Sequence, residues 1–195
     1  MNLQTLTSLS KVELEALQRA LPSMSLQDKI ELFDDLSIRE QRARLTAAKL
    51  SPLGFAQGVY PGFKIGPHHR KLAKIFTDVI EGNKKRVIVN IAPRHGKSEF
   101  SSYLFPAYFL GKYPEKKIIQ TAHTATLAEG FGRKVRNVVA SPDYQAVFQT
   151  KLATDSKAAG RWNTNKGGDY FAIGVGGAVT GKGADILIID DPHSE

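Results

Sequence analysis

The sequence predicts an α/β fold built on a parallel sheet, and two observations lead to that prediction. Three short runs rich in β-branched residues, RVIVNIA (86–92), KKIIQTAH (116–123) and ADILIID (184–190), are typical of buried parallel strands. Helical patterns separate them, KSEFSSYLFPAYFLGKY (97–113) after the first run and TATLAEGFGRKVRNVVA (124–140) after the second. Strands that alternate with helices indicate βαβ units, in which helices cover both faces of a parallel sheet.

Two helices are predicted in residues 1–51, which we therefore assign to a helical N-terminal appendage. Ser10 is a candidate cap for a first helix, which Pro22 ends. Ser25 and Asp28 resemble a capping box that opens a second helix, which continues to about residue 50. Four basic residues in the second half of that helix form a candidate DNA or partner surface, although a solvated helix face is the simpler interpretation: Arg39, Arg42, Arg44 and Lys49.

The segments between the appendage and the last strand contain further signals. Residues 52–67 are rich in glycine, proline and aromatic residues, which predicts a structured loop. A helix is expected from about residue 68 to residue 80. In RWNTNKGGDYFAIGV (161–175), two alternating runs flank the turn sequence Asn-Lys-Gly-Gly-Asp, so we predict a β-hairpin inserted before the last strand.

Composition limits the class of protein. The 195 residues contain no cysteine, which excludes disulfides, thiolate zinc sites and a cysteine nucleophile. No apolar stretch is long enough to predict a transmembrane helix, and the first residues do not have the pattern of a secretory signal, so a cytoplasmic protein with no membrane partner is expected. The net charge of +8 and the isoelectric point near 9.6 favour a polyanionic partner over a merely lysine-rich surface.

The sequence PRHGKS (93–98) is a candidate phosphate-binding loop, because it follows a predicted strand and opens a predicted helix. Gly96 would let the backbone approach the phosphates, Lys97 would reach the β- and γ-phosphates, and the Ser98 hydroxyl would hold magnesium. The full motif has a glycine five positions before Gly96, where this chain has Ile91, so a basic surface turn is the alternative. Six residues are predicted to bind the nucleotide: Pro93, Arg94, His95, Gly96, Lys97 and Ser98.

The segment ILIIDDPH (186–193) is a candidate Walker B motif, in which four apolar strand residues precede two acids. An acid at the carboxyl end of a parallel strand can hold magnesium beside a phosphate loop, so Ser98 and Asp190 are the predicted metal ligands. Asp191 follows where many ATP hydrolases have a glutamate that polarises the attacking water, although aspartate is one methylene shorter. The alternative is a strand that ends in a solvated acidic turn, which the presence of both motifs in the right order disfavours.

Two long runs give the chain a more specific likeness. RVIVNIAPRHGKSEFSSYLFPAYFLGKYPEKKIIQTAHTATLAEGFGRKVRNVV (86–139) and GDYFAIGVGGAVTGKGADILIIDDPHSE (168–195) resemble the ATPase domain of large terminase subunits of tailed bacteriophages. The likeness covers about residues 52–195 and is carried by PRHGKS and TGKGADILIIDDP. It implies an ATP- and Mg²⁺-dependent motor that packages double-stranded viral DNA into the procapsid. The implied partners are DNA, the portal protein and the small terminase subunit, in a homo-oligomeric ring on the procapsid in the host cytoplasm.

The resemblance also suggests roles for individual residues. It implies that Arg94, inside the phosphate loop, offsets charge on the γ-phosphate, so Arg94 and Asp191 are the predicted catalytic residues. Many relatives have an arginine before the acidic strand that reaches a neighbouring subunit; here only Lys182 stands there, and lysine cannot form a two-pronged contact. His68 and His69 lie near the position expected for an adenine-contacting glutamine.

Terminase motors resemble the additional-strand (RecA-like) class of P-loop ATPases, in which a further strand lies between the phosphate-loop strand and the acidic strand. In that class the further strand follows the acidic one, so residues 52–195 are expected to be the N-terminal portion of an ATPase domain, without the nuclease domain. Three alternatives are another P-loop nucleic-acid translocase or helicase, a P-loop kinase, and a non-catalytic remnant that binds nucleotide or partners without turnover.

Overall fold

A computed structural model describes residues 10–155 and 158–193 of the chain. The chain divides into two compact units, Met1–Ala47 and Ala48–Glu195. Among the helices of the described residues, none combines the length and the apolar character needed to cross a membrane.

The first unit begins with two capped helices. Helix α1 spans Lys11–Ala20, and Ser10 and Glu13 form a reciprocal capping box at its start. Helix α2 spans Leu26–Leu50, so its end extends past the boundary between the units. At its start the Asp28 N–H donates to Ser25 Oγ and the Ser25 N–H donates to Asp28 Oδ2, each at 3.2 Å. Both predicted helices and both predicted caps are confirmed.

In the second unit, helix α3 spans Pro52–Val59, so the prediction of a loop over residues 52–67 is wrong for its first half. The Ser51 hydroxyl caps this helix by accepting from the Gly54 N–H at 3.0 Å. The aromatic ring of Phe55 is fully buried and contacts three other aromatic rings. A good cap and the burial of one apolar face therefore outweigh the low helix propensity of the two glycines.

The helices predicted after residue 67 are present, and the structure adds a short helix that was not predicted. Helix α4 spans Pro67–Ile80. The helix after PRHGKS begins with Lys97 and Ser98, continues as a π-helical turn over Glu99–Leu104 and ends as α5, Phe105–Lys112. Helix α6 spans Ala125–Ala140 and the short helix α7 spans Pro142–Val147.

The sheet has four strands in the order β2-β3-β1-β4: β1 (Lys117–Ala122), β2 (Arg161–Asn163), β3 (Asp169–Gly174) and β4 (Ile186–Asp190). Strand β1 pairs in parallel with both β3 and β4, whereas β2 and β3 form the predicted antiparallel hairpin. The hairpin is nevertheless not a mere insertion, because its second strand lies inside the sheet as a neighbour of β1. The fold is therefore α/β with a mostly parallel, mixed sheet.

Asp185 fixes the register of β4 against β1. Its carboxylate accepts from the Lys117 backbone N–H at 2.8 Å and from Lys116 Nζ at 2.9 Å. These hydrogen bonds, first the one from the backbone, lower the pKa of Asp185 below its ordinary value. With the start of the strand fixed, Ala122 pairs with Asp190 at the carboxyl ends of both strands.

The two faces of strand β4 differ in burial, while the arrangement of helices on both faces of the sheet stays a prediction. On the covered face, Gln120 is buried: its amide donates to the Ser102 carbonyl at 3.0 Å and accepts from the Tyr170 hydroxyl at 2.7 Å. On the other face, Leu187 and Ile189 are more than half exposed. Apolar residues on both sides of a strand favour two covering layers, and the exposure of Leu187 and Ile189 shows that this side of β4 is uncovered in the described structure.

The prediction of a strand at 86–92 is also wrong in the described residues. The segment has no regular secondary structure and no place in the sheet, and Ile88 is 89% exposed. Strand β4 is the edge of the sheet, so its outer backbone groups are unpaired in the same way. A β-branched run prefers extended backbone, but it becomes a strand only when a neighbouring strand satisfies its N–H and C=O groups.

Candidate functional site

The predicted phosphate loop is a tight turn that leads into a helix. Gly96 has a φ of +74°, a conformation that glycine adopts without the steric cost that a side chain would impose. The Phe100 N–H donates to the Gly96 carbonyl at 3.0 Å, so the helix begins directly after the turn. Within the turn, His95 Nδ1 is 2.8 Å from the Pro93 carbonyl oxygen and donates to it. The local structure is thus a loop at a helix N-terminus, which is a favourable position for an anion.

Lys97 connects this loop to the carboxyl end of β4. Its Nζ lies 2.7 Å from Asp191 Oδ1 and 3.7 Å from Asp190 Oδ1. The hydrogen bond to Asp191 is the main reason why the pKa of Lys97 is raised, with a smaller contribution from the charge of Asp190. Residues that are 94 positions apart in the sequence therefore meet in one site, as their motifs predicted.

The two acids have different environments. Asp190 is buried on the helix-covered face of the sheet, and its Oδ2 has no hydrogen-bond partner among the described residues. The Asp191 side chain is 60% exposed, and its backbone carbonyl accepts from the His123 N–H at 3.1 Å. One acid therefore has a buried, unsatisfied oxygen while the other is open to solvent.

The unsatisfied oxygen of Asp190 fits a cation ligand. In the described residues there is no group of three or more histidine or acidic side chains that could hold a metal ion by themselves. Magnesium does not require such a group, since it commonly binds one or two protein oxygens and takes its other ligands from phosphates and water. Ser98, whose side chain makes no helix-capping hydrogen bond, is available as the second protein ligand on the loop.

Backbone strain is concentrated in this site. Among the described residues other than glycine, positive φ values occur at Arg94 (+63°) and Asp191 (+44°). These are the two residues predicted to be catalytic. Aspartate tolerates the left-handed region better than arginine does, but both conformations cost energy unless the surrounding structure imposes them. Such strained residues are frequent at functional sites.

A cavity of about 390 Å³ lies beside the phosphate loop. Its lining combines aromatic, histidine and charged side chains with the backbone of the loop, and includes Tyr60, Phe63, His68, His69, Arg94 and Glu99. His68 and His69, which the resemblance placed near a base-binding position, are therefore adjacent to the loop. Arg94 also lines this cavity.

Sequence reasoning missed one contact in the loop. His68 Nε2 lies 2.9 Å from the backbone oxygen of His95, across 27 residues of sequence. No linear motif encodes this contact, because it depends on how helix α4 packs against the turn.

Lys182, the only basic residue in the loop before β4, contacts the sheet. Its Nζ lies 4.3 Å from the centroid of the Phe171 ring, a cation–π contact. In the parallel register Phe171 is next to Ile119, on the same face of the sheet as Leu187.

Comparisons with protein-family models, with curated proteins and with solved structures find no match for this chain.

Proposed function

We propose that this protein is an ATPase that hydrolyses ATP with magnesium and drives the packaging of double-stranded viral DNA into a procapsid. The observation that carries the ATPase part is the position of Lys97, whose amine joins the phosphate loop to both acids at the end of β4. A basic surface turn that contains Gly-Lys-Ser only by chance is not expected to contact the acidic end of a strand. The combination favours a site that holds phosphate on one side and metal on the other.

In this proposal Lys97 exchanges Asp191 for the β- and γ-phosphates when ATP binds. The backbone N–H groups at the start of the following helix bind the phosphate oxygens. Asp190 and Ser98 would hold the magnesium ion, and that ion would neutralise phosphate charge. Asp191, released from the lysine, orients the attacking water and accepts its proton as the water oxygen bonds to the γ-phosphorus and the bond from that phosphorus to the bridging oxygen breaks, so that ADP leaves with the bridging oxygen.

Arg94 is the proposed stabiliser of the transferred group. Its planar guanidinium can donate two parallel hydrogen bonds to γ-phosphate oxygens as charge develops there. The cavity beside the loop, with Tyr60 and Phe63 in its lining, is the proposed site of the base, next to His68 and His69.

For the fold we propose the additional-strand class. Support comes from two features: β4 is the edge of the described sheet, and residues 86–92, which have the composition of a strand, are not part of that sheet. A strand placed between them would hydrogen-bond to the backbone of both.

The packaging role rests on the terminase resemblance and on the net charge of +8, which suits a DNA partner. The proposed partners remain double-stranded DNA, the portal protein, the small terminase subunit and other copies of the chain in a ring. The test is to measure magnesium-dependent ATP turnover with and without duplex DNA and portal. Stimulation by both supports packaging; strand separation would assign a helicase, a phosphorylated small acceptor a kinase, and nucleotide binding without turnover a non-catalytic protein.

A further inference from the structure

We propose that His68 is a positioning residue of the phosphate loop, and this inference rests on the proposed nucleotide-binding function. Its imidazole holds the peptide between His95 and Gly96 in one orientation, so that the Gly96 N–H is directed away from helix α4. The class of ligand that such an N–H serves is a phosphate group of a nucleotide.

The geometry of one hydrogen bond is the first step. His68 Nε2 lies 2.9 Å from the His95 carbonyl oxygen, and because a carbonyl can only accept, Nε2 must carry the proton. In a planar trans peptide the C=O and N–H point in opposite directions. Holding the oxygen of residue 95 towards α4 therefore turns the N–H of Gly96 to the other side.

The packing of helix α4 supports the His68 side chain that makes this contact. His69, the next residue, is only 5% exposed, and its Nδ1 accepts from the Gly66 N–H at 3.0 Å at the start of the helix. The rings of His68 and His69 are 3.9 Å apart between centroids, and the ring of Phe63 packs against His69 at 4.9 Å. His68 is therefore supported on one side by a buried ring that is itself held in place.

The loop lies directly on this histidine pair. A Cβ atom added to Gly96 would come within 2.9 Å of His69 Nε2, so the turn approaches as closely as a residue without a side chain allows. The turn also contains the positive φ of Arg94, which makes its observed conformation costly by itself. A loop with such internal strain depends on outside contacts, and the hydrogen bond from His68 is one that the described structure supplies.

Two substitutions separate the hydrogen bond from the bulk of the side chain. His68→Gln keeps a donor of similar reach, whereas His68→Leu keeps volume without a donor. Lys74→Gln, an exposed position on the same helix, is the matched control. Thermal unfolding of each variant identifies any general loss of fold.

Two readouts test the proposal. In the nucleotide-free protein, NMR relaxation dispersion of the Gly96 and Lys97 amides should show new exchange in His68→Leu but not in His68→Gln or Lys74→Gln. Affinity for ATP with magnesium should fall on the order of 3- to 10-fold in His68→Leu, the scale of one hydrogen bond, and be restored in His68→Gln. Unchanged amide dynamics and affinity in His68→Leu would overturn the positioning role, and so would equal losses in the leucine and glutamine variants.

The proposed nucleotide-binding function can be contradicted independently of the positioning role of His68. If the parent protein binds no nucleotide, or binds it equally well after Lys97→Ala, the site is not a nucleotide site whatever His68 does. The amide measurement needs no ligand, so it still decides whether His68 fixes the loop.

Discussion

Lys97 Nζ lies 2.7 Å from Asp191 Oδ1, so the lysine predicted to bind phosphate is paired with the acid predicted to activate water. The pairing neutralises both groups while the site holds no phosphate. It also means that ATP must compete with an internal carboxylate for the lysine. Phosphate, which carries more charge than a carboxylate, is the stronger partner for the ammonium group.

Replacing Lys97 with alanine should weaken ATP binding by on the order of 10- to 100-fold, the scale of a lost charge-assisted hydrogen bond. The fold should persist, because the lysine is at the surface end of the site. Titration with a fluorescent ATP analogue measures the affinity, with Lys74→Ala as the control for simple loss of positive charge. Unchanged affinity in Lys97→Ala would contradict the assignment of residues 93–98 as a phosphate-binding loop.

The two acids should respond differently to the same chemical change. Asp190→Asn should weaken magnesium-dependent ATP binding, because the buried oxygen loses its charge. Asp191→Asn should leave binding intact or tighten it, since it releases Lys97, but should abolish hydrolysis. Affinity measured with and without magnesium, together with steady-state turnover, distinguishes the roles. Equal loss of binding in both variants would contradict the assignment of Asp190 to the metal and of Asp191 to the attacking water.

Arg94 allows strain and catalysis to be measured separately. Arg94→Ala and Arg94→Gly should both slow hydrolysis by on the order of 10³, as removal of an arginine finger does, with a much smaller effect on ATP affinity. Only the glycine variant can adopt the φ of +63° freely, so it should be the more stable of the two by about 1 kcal/mol. A turnover number within a few-fold of the parent would place Arg94 outside the chemistry.

Stability should fall in mildly acidic solution because of His69. Burial, and then the neighbouring charge of His68, lower the pKa of His69 below its ordinary value of 6.5. The folded protein therefore binds this proton less readily than the unfolded chain, so the stability is complete above pH 6.5 and declines as the pH falls from there towards the folded-state pKa. Protonated Nδ1 also could not accept from the Gly66 N–H.

Denaturant unfolding between pH 8 and pH 5 measures this effect. In His69→Gln the amide oxygen can still accept from Gly66, but nothing titrates, so the pH dependence should flatten. The neighbouring histidine on α4 is His68, whose ring centroid lies 3.9 Å from that of His69. An identical pH profile for the parent and the glutamine variant would assign the dependence to other groups.

The sequence predicted most elements because their signals are local. Ser10 and Ser25 cap the helices that they were expected to cap, and the turn of the hairpin lies where the two glycines indicated. The order of the two motifs predicted that the phosphate loop and the acids lie in one site, although the salt bridge between Lys97 and Asp191 was not itself predicted.

The errors have a common physical cause. The features that were predicted wrongly or missed depend on contacts with residues that are distant in the sequence. Helix α3 forms because Phe55 is buried against rings from other elements. The contact of His68 with the loop likewise depends on tertiary packing. Residues 86–92 have the composition of a strand, but composition cannot supply the neighbour that a strand needs.

Two isoleucines in the predicted strands provide the last prediction. Ile118 in β1 is 1% exposed, whereas Ile88 in the run 86–92 is 89% exposed. Ile118→Ala should therefore lower the free energy of unfolding by about 2–5 kcal/mol, as for a buried large-to-small change. Ile88→Ala should change it by less than about 0.5 kcal/mol, as for a surface substitution. Urea unfolding of both variants measures the difference. If Ile88→Ala is as costly as Ile118→Ala, residues 86–92 are buried in a sheet in solution. The proposed strand between them and β4 is then supplied by a part of the molecule, or by a partner, that the described residues do not include.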